Sequence, residues 1–164
     1  MTASTTKTTT RRKKATLPPN PFLNEILDYV DSQKTKAKKV QALQEYRDDS
    51  LTAILIWNFD DRVQSAIPEG QVPYKENEVP VGTDHTSLRR EWKNLFHFIK
   101  GGNDELSSLR RETMFIQMLE GLHPEEAKII CLVKDKNLTQ KYKVTRELVA
   151  EAFPDIVWGE HRGS

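Results

Sequence analysis

Chemistry needs several reactive side chains at a defined spacing, and in this 164-residue chain the candidates stand apart from one another. His85, His97, His123 and His161 include no pair at i, i+4 that would present two imidazoles on one helix face, and Cys131 has no second cysteine for a thiolate site or a disulfide. Asp60 and Asp61 are adjacent carboxylates without a nearby third acid, a pattern that suits a turn at a helix end better than a divalent-cation site. FIKGGNDE, at 98–105, has two glycines but neither the spacing nor the Lys-Ser/Thr pair of a phosphate-binding loop. The sequence therefore offers no catalytic residue, no metal ligand set and no cofactor site, and it reads as a non-enzyme without an evident small-molecule substrate.

The cations are more informative. Lys7, Arg11, Arg12, Lys13 and Lys14 are the only charged side chains in the first nineteen residues. The whole chain has 25 basic and 24 acidic side chains, so removing these five leaves 20 against 24. A near-neutral pI hides a basic leader of about +5 on an acidic body of about −4. Its Ser/Thr-rich, acid-free composition is shared with organelle transit peptides, but the cations are bunched and no apolar face accompanies them. An arm that meets DNA or a neighbouring subunit is the reading favoured over a solubilising tail. A second basic region is the linker KDKNLTQKYK, with Lys134, Lys136, Lys141 and Lys143 against Asp135 alone; its length argues against a helix-turn-helix. The doubled arginines Arg89, Arg90 and Arg110, Arg111 have the geometry to clamp phosphate, yet Glu91 and Glu112 beside them favour internal ion pairs.

The elements that must position these residues are helical. Pro18, Pro19 and Pro21 form a stiff entry, and Asn20 is the expected N-cap of a first helix over 21–31 that buries Phe22, Ile26, Tyr29 and Val30. A second helix is expected over 35–46, and a third, capped by Ser50, over 51–58 with an apolar surface all round. Residues 59–86 form a long loop broken by prolines and glycines, expected to lie on the body through Val72, Pro73, Tyr74, Val79, Pro80 and Val81. SLRRE occurs at 87–91 and again at 108–112, each copy leading into an apolar helical pattern, which predicts an antiparallel αα-hairpin about Gly101-Gly102. Pro124, Glu125 and Glu126 open a further helix in which Ala127, Ile130 and Cys131 face inward, and Thr145 caps the last one before Pro154. The expectation is an all-α compact bundle of six or seven short helices. It divides into a basic arm over 1–19, one helical domain over 20–158 and a tail over 159–164. No apolar run approaches the roughly 18 residues of a membrane span.

FIKGG at 98–102, RRETMFIQMLEGLHPEEA at 110–127, VKDK at 133–136 and the T-x-x-LV-x-x-AFP pattern at 145–154, with FDD at 59–61 and the VPYKENE loop, resemble a family from large contractile-tailed phages of the cyanophage type. The resemblance implies a phage protein located in the virion or in the cytoplasm of the infected bacterium, with other phage structural proteins as partners and DNA as a further partner through the arm. It carries no established activity, so no catalytic residue transfers. Two functional expectations follow: a non-enzymatic virion component whose body docks on the particle, or an accessory protein of phage DNA metabolism or late transcription.

Overall fold

The computed structural model describes residues 17–77 and 86–158. Among them the fold is all-α, with seven α-helices and two 310 segments: α1 (Leu23–Ser32), α2 (Lys36–Glu45), α3 (Asp49–Phe59), α4 (Leu88–Glu91), a 310 segment (Trp92–Phe98), α5 (Ser108–Gly121), α6 (Pro124–Lys134), a 310 turn (Leu138–Gln140) and α7 (Arg146–Ala152). No strand forms among the described residues; Ser65 with Ile99 and Thr86 with Leu122 make isolated bridges only.

α3 is the centre of the bundle because its apolar residues leave no polar face: Leu51, Ile54, Leu55 and Trp57 are all buried. It packs on α6, α4 and the first 310 segment, while α1, α2 and α7 form a second layer that reaches the core through Ile26, Leu27, Val30, Leu43 and Val149. The helix starts differ from expectation in two places. α1 begins at Leu23 rather than at Pro21, because Asn20 takes a left-handed conformation (φ 55°) and Phe22 becomes the N-cap, its N–H donated to the Glu25 carboxylate at 2.9 Å. Ser50 lies inside α3, and the cap is Asp48, which accepts from Leu51 N–H at 2.9 Å and also from the Ser50 hydroxyl. Thr35 and Thr145 cap α2 and α7, the latter as expected.

The repeated SLRRE does not make a repeated structure. In the first copy Ser87 is the N-cap and Leu88 is fully buried; in the second the cap is Ser107, one position earlier, and Leu109 is left 78 % exposed. One residue turns a helix by about 100°, so identical sequences point their leucines to opposite environments. The first copy continues for one α-turn and then tightens to 310 geometry, which aligns residues three apart: Leu95 and Phe98 are buried and Trp92 is half-buried on the same side. The expected hairpin of two α-helices is thus an α-helix beside a 310 segment. Gly101 turns the chain with φ 86°, and a Cβ on Gly102 would run into the Phe96 carbonyl.

Beyond α7 the chain folds back over α2. Arg47 holds Asp155 through two parallel bonds of 2.7 and 2.8 Å and stacks on Phe153, while Arg146 lies over Trp158. The Arg47 hydrogen bonds hold the Asp155 carboxyl down at about 2, below the ordinary aspartate range. A depressed carboxyl contributes stability above its unfolded pKa and loses it as pH falls through the folded one. Trp158 emission is therefore expected to change between pH 4 and pH 2 in the native protein, and Asp155→Asn should remove that transition.

Candidate functional site

Two charged residues occupy the face of α6 that looks into the core. Glu126 is 1 % exposed and Lys134 3 %, on a stripe that also holds Ala127, Ile130 and Val133. The Glu126 carboxylate accepts from Leu23 N–H and from Leu88 N–H, each at 2.8 Å. These are the first residues of α1 and α4, whose amides have no partner within their own helices. One carboxylate thus closes two helix starts from the first turn of a third, where the aligned backbone dipoles favour negative charge. Arg89 completes the knot, donating to Asp48 at 2.7 Å and to the Pro21 carbonyl at 3.1 Å. Burial pushes the Glu126 carboxyl up from its ordinary value, and the two amide donors oppose that rise.

The basic linker is built into the fold in a comparable way. The Lys134 ammonium, without exposed surface, donates to the carbonyls of Pro68 and Gly70 at 2.8 and 3.0 Å and to Asp135 at 2.6 Å. Asp135 in turn accepts from Gly70 N–H at 3.2 Å, and the Lys134 carbonyl accepts from the Ser65 hydroxyl, itself the acceptor for the Trp57 indole. Residues 64–70 are therefore strapped to the end of α6. Lys136 is left-handed (φ 59°) and closes α6: its N–H bonds to Val133 O and the Asn137 N–H to Leu132 O, the double bond pattern usually given to glycine. Its ammonium donates to Trp57 O at 2.6 Å and Asp60 O at 3.0 Å, capping the C-terminus of α3, and burial lowers its pKa.

Lys134 and Lys136, candidate contacts for an outside anion on the sequence, thus have both ammonium groups already engaged by acceptors within the fold. Lys141 shares Glu125 with Lys128 at 3.1 and 3.2 Å, and those bonds hold the Glu125 carboxyl down. Lys143 is exposed and only its backbone N–H is engaged, with Asp31 at 3.1 Å. Lys39 donates to the last carbonyls of α1, and Arg111 to the carbonyls of His97, Asn103 and Leu106. Arg89 and Arg111 thus serve the fold, as expected, but through Asp48 and carbonyls rather than through Glu91 and Glu112. Lys7, Arg11, Arg12, Lys13 and Lys14 lie outside the described residues.

The strap 64–74 has a cleft on either side. One, about 680 Å³, runs between Val72, Tyr74, Cys131, Leu132 and Lys141. The other, about 190 Å³, has a floor of Ile67, Val72, Phe115 and Ile116 and two rim carboxylates, Glu69 and Glu112. Val72 and Tyr74 pack on the core, as the sequence led one to expect, and Val79, Pro80 and Val81 lie outside the described residues. Cys131 is half-buried rather than fully enclosed; burial pushes its thiol up, and burial pushes the neighbouring Tyr74 hydroxyl up to about 12. A thiol so placed is a poor nucleophile. Asp60 is buried and ends α3, with one carboxylate oxygen accepting from Arg62 N–H at 2.9 Å. Among the described residues no three His, Cys, Asp or Glu side chains are placed to hold a metal ion, and no helix is long and apolar enough to cross a membrane.

Residues 26–140 match the model of a family of unknown function, DUF6433. The chain belongs to that family. The part of this DUF6433 chain that matches runs from within α1 to the second 310 turn and contains the Glu126–Arg89–Asp48 knot, the smaller cleft, the larger one but for Lys141, and the lysine strap; the leader and α7 lie outside it. No curated protein and no solved structure matches the chain.

Proposed function

We propose that this chain is a non-enzymatic phage protein, a virion-associated structural component whose helical body docks on the particle and whose basic leader contacts DNA or a neighbouring subunit. One observation carries the reading: the charge is segregated. The leader holds five cations and no acid. The body's buried and half-buried cations are used within the fold: Lys39, Arg89, Arg111, Lys134 and Lys136 at helix ends and loop carbonyls, and Arg146 over the Trp158 ring. A dense positive charge is thereby left to the leader, where an anionic surface would meet it without disturbing the fold. The resemblance of the FIKGG, RRETMFIQMLEGLHPEEA and VKDK segments to phage proteins supplies the setting. Mass spectrometry of purified particles tests it. The chain should be found in them at a fixed copy number, and deletion of residues 2–17 should lower its incorporation without loss of the folded body. Its absence from particles, with abundant protein in the infected-cell lysate, would overturn the proposal.

A further inference from the structure

We infer that the cleft between the strap and α5 is the receptor for the basic leader of a second copy of this chain. The inference rests on the proposed function above and chooses the neighbouring subunit over DNA as the leader's target. The cleft is made where Ile67, Pro68, Val72 and Pro73 lie against Phe115 and Ile116 of α5, and Glu69 and Glu112 stand on its rim. Neither carboxylate has a hydrogen bond or ion pair among the described residues, although Glu112 is half-buried. Glu25, Glu91, Glu120, Glu125 and Glu126 each accept at least one bond, and the unbonded Glu45, Glu76, Glu105 and Glu147 are exposed, unlike Glu112. A half-buried carboxylate left unpaired beside an apolar floor is a site that a cation can complete.

The shape selects the kind of cation. A volume of about 190 Å³ admits one or two long side chains but not a helix or a folded loop. Arginine fits both parts of it, since its aliphatic stem covers apolar surface while its planar guanidinium forks a carboxylate. Arg11 and Arg12 are the two arginines of the leader and are adjacent in sequence, and Glu69 and Glu112 line one cleft. The body's excess of acids over bases, 24 against 20, adds a long-range attraction for a leader of the opposite sign.

The test is sedimentation of the full-length chain over a concentration series at low salt. Self-association is expected, weakened on raising salt to about 0.5 M, where surface charges are screened beyond a few ångströms. Glu69→Arg with Glu112→Arg should weaken it about tenfold or more, and Arg11→Glu with Arg12→Glu should do the same. Combining all four reversals should restore it. Glu69 is exposed and Glu112 half-buried, and neither is bonded among the described residues, so a melting temperature close to that of the parent chain should accompany each variant. A chain that stays monomeric, or an association untouched by the rim reversals, would overturn the inference. So would a monomer whose leader binds duplex DNA, an outcome that leaves the proposed function standing with DNA as the partner.

Discussion

Glu126→Ala is expected to lower stability by about 3–5 kcal/mol, the range for breaking a buried, hydrogen-bonded charge. For a body of this size that corresponds to a fall in melting temperature on the order of 10 °C. The side chain is 1 % exposed and is the acceptor for the first amides of both α1 and α4, so its removal leaves two buried donors without partners and opens a void among three helix starts. Glu126→Gln should cost less, because the amide oxygen still serves one of the two donors. The pH dependence separates the variants further. A carboxyl raised by burial contributes stability that is present below its unfolded pKa and lost as pH rises through the folded one. The stability gap between the parent chain and Glu126→Gln should therefore widen as pH falls from 7 toward 4.5. A gap constant with pH would mean that Glu126 is not enclosed as described.

Lys134→Met should cost about 3 kcal/mol, and its effect should be concentrated in one place. Methionine fills the same volume but leaves Asp135 without its 2.6 Å partner and the carbonyls of Pro68 and Gly70 without a donor. Residues 64–70 have no regular secondary structure to hold them once that ammonium is gone. Hydrogen exchange at Ala66 and Gly70, whose amides bond to Phe98 O and Asp135, should accelerate before that of α3 or α5. Uniform acceleration through the core would show that Lys134 stabilises the body as a whole instead of fastening the strap.

The helices could be read from the sequence because their apolar residues recur at helical spacing and because Thr35, Thr145 and Pro124 mark their starts locally. The exceptions are instructive. The first SLRRE segment has the same letters as the second but tightens to 310 geometry, since Leu95 and Phe98 are buried at three-residue spacing and tertiary packing decides between the two forms. The knot was missed for a different reason. Glu126 sits where its own helix dipole already accounts for an acid, and its partners are 103 and 38 residues away. A signal was nonetheless present: 126, 130, 133 and 134 share the inward stripe of α6, so two charged residues lay on a face that otherwise reads as core. A run of lysines is normally solvated, so the sequence alone places Lys134 and Lys136 on the surface. Their use as caps for α3 and for the strap depends on where Trp57, Asp60 and Pro68 fall in space.

On the proposed function, the body's buried and half-buried cations serve the fold and affinity for a polyanion resides in the leader. Titration of duplex DNA with the full-length chain and with the chain lacking residues 2–17, over a salt series, tests it most directly. Five cations allow at most about five phosphate contacts, so the leader's share of log affinity should fall with log salt at a slope no steeper than roughly −4.5, with little base preference. The truncated chain should melt at nearly the same temperature and show no salt-dependent binding. A truncated chain that binds DNA with the slope of the full-length one would place the contact on the body and contradict the account.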